Sequence, residues 1–102
     1  MKVHDNIRAS NGTSHHGYHI IATAQSLIDL FGEPTFDGAS CDGGQMEWVL
    51  DHNGNCITVY DRCVKAYRLT DDVRWHIGAH NSYDAMTASA ELNQLIQNHN
   101  AK

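Results

Sequence analysis

The stretch that decides the fold is Arg74-Trp75-His76-Ile77-Gly78-Ala79-His80-Asn81. Its first half predicts a short strand, because the apolar side chains of Trp75 and Ile77 alternate with polar neighbours and would share one face. Gly78 is predicted to end this strand. The second half predicts the start of a helix, with Asn81 or Ser82 as its N-cap residue.

The segment after this corner predicts the last helix of the chain. Asp84 lies in the predicted first turn, where a negative charge suits the helix dipole. We expect this helix to pack beside the strand that precedes it. One stripe at helical spacing is formed by Ala85, Ala88, Leu92, Leu95, Ile96 and His99.

A β-hairpin is predicted over residues 46–60. Asn53-Gly54 is the residue pair preferred in two-residue hairpin turns. The flanking runs alternate with a period of two, as strands with two different faces do. Met46, Trp48 and Leu50 alternate with Glu47 and Val49, and Cys56, Thr58 and Tyr60 alternate with Ile57 and Val59.

An earlier helix is predicted between Thr23, a suitable N-cap residue, and Gly32, which fits the position just past a helix end. Pro34 is a second stop signal. The apolar stripe consists of Ala24, Leu27, Ile28 and Phe31.

The remaining segments carry weaker patterns. They predict a strand over residues 2–9, a polar loop over 13–17, a short strand over 18–22, loops over 35–44 and 69–72, and a continued strand or bulged extension over 62–68. Together the elements predict one α+β domain over residues 1–102. Its architecture is an antiparallel sheet of four to five strands with two helices packed on one face.

The composition is that of a globular protein, 41% hydrophobic and 19% charged, with a net charge of −5. The acidic residues are spread along the chain, which argues against direct DNA binding, because phosphate contacts need clustered Lys and Arg. No apolar run approaches the ~20 residues of a membrane span. Cys41, Cys56 and Cys63 form no CxxC pair and no secretory signal is recognisable, so we expect free thiols and a cytoplasmic protein.

Eight histidines raise the question of a metal site. Five of them, His15, His16, His19, His76 and His80, would converge if the first loop lay beside the 74–81 corner. However, there is no HExxH motif, and His16 and His19 fall on a predicted loop and a predicted strand rather than on a helix. We therefore expect solvated loop histidines, no metal and no cofactor.

Catalysis has weak support. A cysteine nucleophile usually lies at a helix N-terminus or in a cationic pocket, whereas the cysteines here are predicted on strands or in a loop. Acid–base chemistry by His76 or His80 with Asp61 or Asp84 is an alternative that no spacing singles out. The sequence thus favours a protein that is not an enzyme, with no catalytic residues assigned.

Binding of a small ligand fits the sequence better. The predicted helix start offers free N–H groups and the positive end of a dipole, which suit an anion or phosphate. Aromatic rings could stack on a base, and Arg68 and Arg74 are nearby cations. Ordinary helix capping and core packing of Trp48 and Trp75 are the plain alternatives. The predicted ligand-binding residues are Thr13, Ser14, Tyr18, Tyr60, Trp75, His76, Gly78, His80 and Asn81.

Five short pieces of sequence together carry a resemblance: Gly12-Thr13-Ser14 with Gly17-Tyr18, Leu30-Phe31-Gly32-Glu33-Pro34, Glu47-Trp48, Thr58-Val59-Tyr60-Asp61, and Trp75-His76-Ile77-Gly78. In this order, over residues 12–78, they resemble a group of small uncharacterised proteins common in bacteriophage genomes. The chain departs from that group at Ala79, where a second glycine is usual. It also departs at Arg62-Cys63, where a continuation with Lys or Trp is usual.

The resemblance implies a phage-encoded accessory protein in the host-cell cytoplasm, without supplying an activity. By analogy with small phage proteins of this kind, we expect a non-enzymatic protein that counters host antiviral defence. The favoured mode is sequestration of a nucleotide-like signalling ligand between residues 12–18 and 75–81. The alternatives are a protein–protein inhibitor of a host defence complex or nuclease, and a small hydrolase that uses His76 and His80. Exposed sheet edges also predict a homo-oligomer.

Overall fold

The predicted hairpin lies at the centre of the sheet. The structure is a computed structural model and describes residues 1–37, 46–61 and 67–101. The hairpin strands are β4 (Met46–His52) and β5 (Asn55–Tyr60), joined by Asn53 and Gly54. Both turn residues have positive φ, as a two-residue turn between twisted strands requires. The hairpin prediction is therefore confirmed.

The other strands flank this hairpin. Strand β6 (Asp72–Ala79) pairs with β5, and β2 (Ser14–Thr23) pairs with the other side of β6. On the opposite side, β1 (Lys2–Val3) and β3 (Phe36–Asp37) pair with different stretches of β4. All pairings are antiparallel, in the order β1-β4-β5-β6-β2, so the described residues form a sheet five strands wide, as predicted.

Two helices, α1 (Ala24–Phe31) and α2 (Ser82–Asn100), pack on one face of the sheet. Both begin at the residues predicted to cap them. The Thr23 hydroxyl accepts a hydrogen bond from the Ser26 N–H, and the Asn81 side chain accepts one from the Asp84 N–H. Each cap satisfies a backbone donor that the helix itself cannot pair.

The core lies between the helices and this face of the sheet. The rings of Trp48 and Trp75 meet edge to face, with centroids 5.4 Å apart, and both side chains are fully buried. Their indole N–H groups donate to the carbonyl oxygens of Gly32 and Ala22, both at 2.9 Å. The strands contribute Ile20, Ala22, Trp48, Leu50, Ile57, Val59, Val73, Trp75, Ile77 and Ala79, and the helices Ala24, Leu27, Ala85, Ala88, Leu92 and Ile96. Full burial of one such aliphatic side chain stabilises the fold by about 1.5–3 kcal/mol.

Three boundary predictions are wrong. Residues 14–17 are not a loop but the first part of β2, because Ser14 and His15 pair with Ala79 and Gly78. For the same reason Gly78 does not end β6 but lies inside it. The strand predicted over residues 2–9 is limited to Lys2–Val3, and a 3-10 helix follows at Ile7–Ser10, where the Asn6 side chain accepts a hydrogen bond from the Arg8 N–H.

The loop predicted over 35–44 contains β3 at its start, and the loop over 69–72 ends where β6 begins at Asp72. Residues 38–45 and 62–66, with Cys41 and Cys63, lie outside the described residues, and so do the predictions made for them. Within the described part of the chain, neither helix has the length and apolar character needed to cross a membrane.

Candidate functional site

The helices α1 and α2 cover one face of the sheet, and we call the other face the second face. The strand register aligns two rows of residues on this second face. Directly paired residues of antiparallel strands point to the same side of the sheet. Residues two apart along a strand also share a side. The first row is Glu47, Tyr60, His76 and His19, and the second is Val49, Thr58, Gly78 and His15.

Three histidines of these rows form the imidazole cluster, defined as His15, His19 and His76. Their ring centroids are 4.7 Å apart for His15 and His19, 4.5 Å for His15 and His76, and 4.7 Å for His19 and His76. All three side chains are half-buried. The ring of Tyr60 stacks on His76, with centroids 5.5 Å apart and planes inclined by 25°. Four aromatic rings therefore lie side by side on the second face.

The backbone explains why three imidazoles fit so closely. His15 pairs with Gly78 and His19 with His76, so four residues of β2 span the same length as two of β6, and β2 bulges between them. Gly17, within the bulge, has a φ of +89°, a conformation that glycine adopts without strain. Because Gly78 has no side chain, its position opposite His15 leaves room for the imidazole to approach His76.

The cluster has a charged neighbour. A guanidinium nitrogen of Arg74 lies 3.3 Å from His19 Nδ1, and because arginine only donates hydrogen bonds, this nitrogen of His19 is the acceptor. Burial lowers the pKa of His19, and the positive charges of Arg74 and of a protonated His15 lower it further. At the other end of the row, burial raises the pKa of Glu47. The charged forms of both His19 and Glu47 are therefore disfavoured.

Three of the predicted ligand-binding residues are neighbours on the second face: Tyr60, His76 and Gly78. Two others point elsewhere. Trp75 is fully buried in the core, so it offers no ring face to a ligand. Tyr18 packs against the core on the helix side of the sheet.

The other four predicted residues make structural contacts within the chain. The Thr13 hydroxyl donates to the Ser10 carbonyl oxygen at 2.7 Å, and the Ser14 hydroxyl lies 3.4 Å from His16 Nε2. His80 Nε2 donates to the Ala9 carbonyl oxygen at 3.1 Å, which ties the 3-10 helix to the end of β6. Asn81 caps α2 and also donates to the Asp84 carboxylate at 3.0 Å.

Two members of the cluster, His15 and His19, are absent from the predicted ligand-binding residues. Both are half-buried side chains of β2, so the prediction of solvated histidines is wrong for both, and the predicted loop is wrong for His15, whereas His19 lies in a strand as predicted. A usable signal was present. If residues 14–23 are read as one strand, the period of two places positions 15 and 19 on the same face. His16 falls on the opposite parity, and its Nε2 donates to the Ala79 carbonyl oxygen at 3.1 Å.

The carboxylates considered for acid–base chemistry have structural contacts. Asp61 is buried and accepts hydrogen bonds from the Met46 N–H at 3.0 Å and the Tyr67 hydroxyl at 2.6 Å. Asp84 is bound to the Asn81 cap. Asp61 thus links separate parts of the chain, and Asp84 stabilises the start of α2.

Comparison with known proteins gives no match: no protein-family model, no curated protein and no solved structure matches this chain.

Proposed function

We propose that this protein is a non-enzymatic binding protein that captures a nucleotide-like small molecule on the second face of its sheet. The observation that carries the proposal is the group of four half-buried aromatic rings, Tyr60 and the imidazole cluster. Aromatic side chains that present part of their surface on a sheet face are suitable for stacking with a base, at about 1–3 kcal/mol per base.

A phosphate group would find its partner at the edge of the same patch. Arg74 is exposed and reaches His19, so its guanidinium can form charge-assisted hydrogen bonds to a phosphate bound beside the rings. The segments predicted to enclose the ligand, residues 12–18 and 75–81, are neighbours through the pairing of β2 with β6. This adjacency supports one site made from both segments.

The biological role we propose is interference with host antiviral defence by sequestering a signalling nucleotide. Its support is the resemblance of five sequence segments to small bacteriophage proteins. Binding without turnover is favoured because the two candidate acid–base carboxylates, Asp61 and Asp84, contact Met46, Tyr67 and Asn81. Sequestration needs only affinity and a protein present in excess of its ligand.

A thermal-shift screen of the full chain with cyclic and linear nucleotides tests the proposal. A ligand at 100 times its Kd stabilises the folded state by about 2.7 kcal/mol, which is readily measured. We expect at least one nucleotide to raise the Tm, and Tyr60→Leu to reduce this shift. Tyr83→Leu is the control, because Tyr83 is 68% exposed on α2 and makes no part of the patch. If no nucleotide raises the Tm at saturating concentration, the proposal is rejected.

A second candidate function is protein–protein binding through the outer edge of β2. No described strand pairs with that edge, and Ile21 on it is 66% exposed. Unpaired edges pair with other strands readily, which fits either a homo-oligomer or an inhibitor of a host protein. Sedimentation of the wild type and of Ile21→Lys tests self-association: a complex that the charged variant abolishes supports this edge, and a monomeric wild type rejects the homo-oligomer.

A further inference from the structure

The imidazole cluster contains the side chains that transition metals prefer. Each of its three histidines offers one ring nitrogen, and the three atoms lie within 4.8 Å of one another. The ligands come from two adjacent strands of the sheet rather than from a loop, so their Cα positions are fixed by strand pairing. Within residues 1–37, 46–61 and 67–101, no other group of three His, Cys, Asp or Glu side chains approaches in this way.

We propose that His15, His19 and His76 bind one divalent transition-metal ion of the Zn²⁺ class. Imidazole nitrogen suits Zn²⁺, Cu²⁺ and Ni²⁺, whereas Ca²⁺ and Mg²⁺ require oxygen ligands. Three histidines leave the fourth tetrahedral position for water or an added ligand, as in open zinc sites. This inference does not rest on nucleotide binding, since the metal site is defined by the histidines alone.

The geometry needs only a small adjustment. Zinc–nitrogen bonds of about 2.0–2.1 Å at tetrahedral angles place two ligand atoms about 3.3 Å apart. The nitrogen atoms of the cluster therefore need to approach by at most about 1.5 Å, relative to the present limit of 4.8 Å. The χ2 torsion of histidine is broad rather than confined to narrow wells, so rotation of the imidazoles can supply this approach while the strand stays in place.

One ring nitrogen of the cluster lacks a partner. His15 Nε2 is buried and has no hydrogen-bond partner among the described residues. A buried polar atom without a partner costs about 1–3 kcal/mol. A metal ion bound between the rings would use a lone pair of such a nitrogen.

Arg74 opposes the metal at His19. Because His19 Nδ1 accepts from Arg74, the proton of the neutral ring lies on Nε2. Metal binding therefore requires either release of Nδ1 from Arg74, or transfer of the proton so that Nε2 becomes the ligand. In both cases the hydrogen bond from Arg74 to His19 is lost.

Calorimetric titration of the full chain, treated first with a chelator, measures the proposed site directly. We expect one Zn²⁺ per chain with saturable binding. Single variants His15→Ala, His19→Ala and His76→Ala should each weaken binding at least about tenfold, since even loss of an outer-shell partner costs 10–100-fold. His16→Ala is the matched control, because His16 is adjacent in sequence but points to Ala79, and it should retain wild-type affinity.

A second measurement does not depend on how the variants fold. Co²⁺ bound by three histidines in a tetrahedral site gives the intense visible absorption of low-coordinate cobalt, whereas Co²⁺ held loosely on the surface keeps the pale octahedral spectrum. We expect the intense spectrum, and its displacement by one equivalent of Zn²⁺. Absence of saturable 1:1 binding, an octahedral spectrum, or an equal loss of affinity in His16→Ala would each overturn the assignment.

Discussion

The backbone of Gly78 lies so close to the side chain of Thr58 that a Cβ atom at position 78 would overlap with the Thr58 hydroxyl. The two residues are cross-strand partners on β6 and β5. Tyr60 also approaches this position, at 3.4 Å. Gly78 is thus required for close packing on the second face, and its missing side chain also leaves space beside His15.

We therefore expect Gly78→Ala to lower the free energy of unfolding by about 1–3 kcal/mol, the usual cost of forcing an extra carbon into a packed site. Urea unfolding followed by circular dichroism measures the loss. The double variant Thr58→Ala/Gly78→Ala should recover most of it, because the overlapping hydroxyl is gone. If Gly78→Ala is as stable as the wild type, β5 and β6 can move apart at this point at no cost, which would contradict the prediction.

The sequence predicts the elements of the fold well where local signals agree. The alternation around Asn53-Gly54, the caps at Thr23 and Asn81, and the opposite faces of Trp75 and His76 are all found in the structure. These features depend on neighbours within a few residues of each other. A short stretch of sequence is therefore enough to predict each of them.

The site is less predictable, because it depends on pairing between distant segments. His15 meets His76 only because β2 starts at Ser14 and bulges between His15 and His19. Polar residues 14–17 resemble a loop when taken alone, and pairing with β6 makes them the first part of β2. The sequence of Trp75 and its neighbours allows either a ring that stacks on a ligand or a core side chain, and its full burial in the folded chain decides for the core.

Asn81 provides a test that separates capping from ligand binding. Asn81→Ala removes the acceptor of the Asp84 N–H at the start of α2, so we expect a loss of about 1 kcal/mol in the free energy of unfolding. Asn81→Ser retains a capping oxygen and should lose much less. Thermal unfolding of both variants checks this order. Equal stability of the alanine and serine variants would contradict a capping role.

Glu47 should make the fold less stable at neutral pH. Burial raises the pKa of Glu47 in the folded state, so above about pH 4.3, the usual value for glutamate, the folded state binds more protons than the unfolded state. Stability contributed by this group then falls as pH rises through the window between the two pKa values. We expect Glu47→Gln to raise the Tm at pH 7.

The pH dependence itself supplies the check on this prediction. The gain in Tm from Glu47→Gln should shrink as the pH is lowered and disappear below about pH 4, where the wild-type carboxyl is protonated in both states. Glu33→Gln, at an exposed side chain, controls for the change in net charge. A gain of the same size in that control would mean that the whole charge of −5, and not burial of Glu47, sets the effect.

Arg74 should limit the metal affinity of the imidazole cluster. Its guanidinium donates to His19 Nδ1, and this hydrogen bond, with a net value of about 0.5–1.5 kcal/mol, must be broken before His19 can bind the ion. Arg74→Met removes the donor and retains most of the aliphatic volume, so we expect Zn²⁺ affinity to rise roughly two- to tenfold.

Arg68→Met is the control for charge, because Arg68 pairs with Asp71 and its side chain is 85% exposed. Calorimetry on both variants distinguishes the two causes. A rise confined to Arg74→Met means local competition for His19, an equal rise in both means long-range repulsion, and a fall in Arg74→Met means that Arg74 supports the cluster rather than opposing the ion.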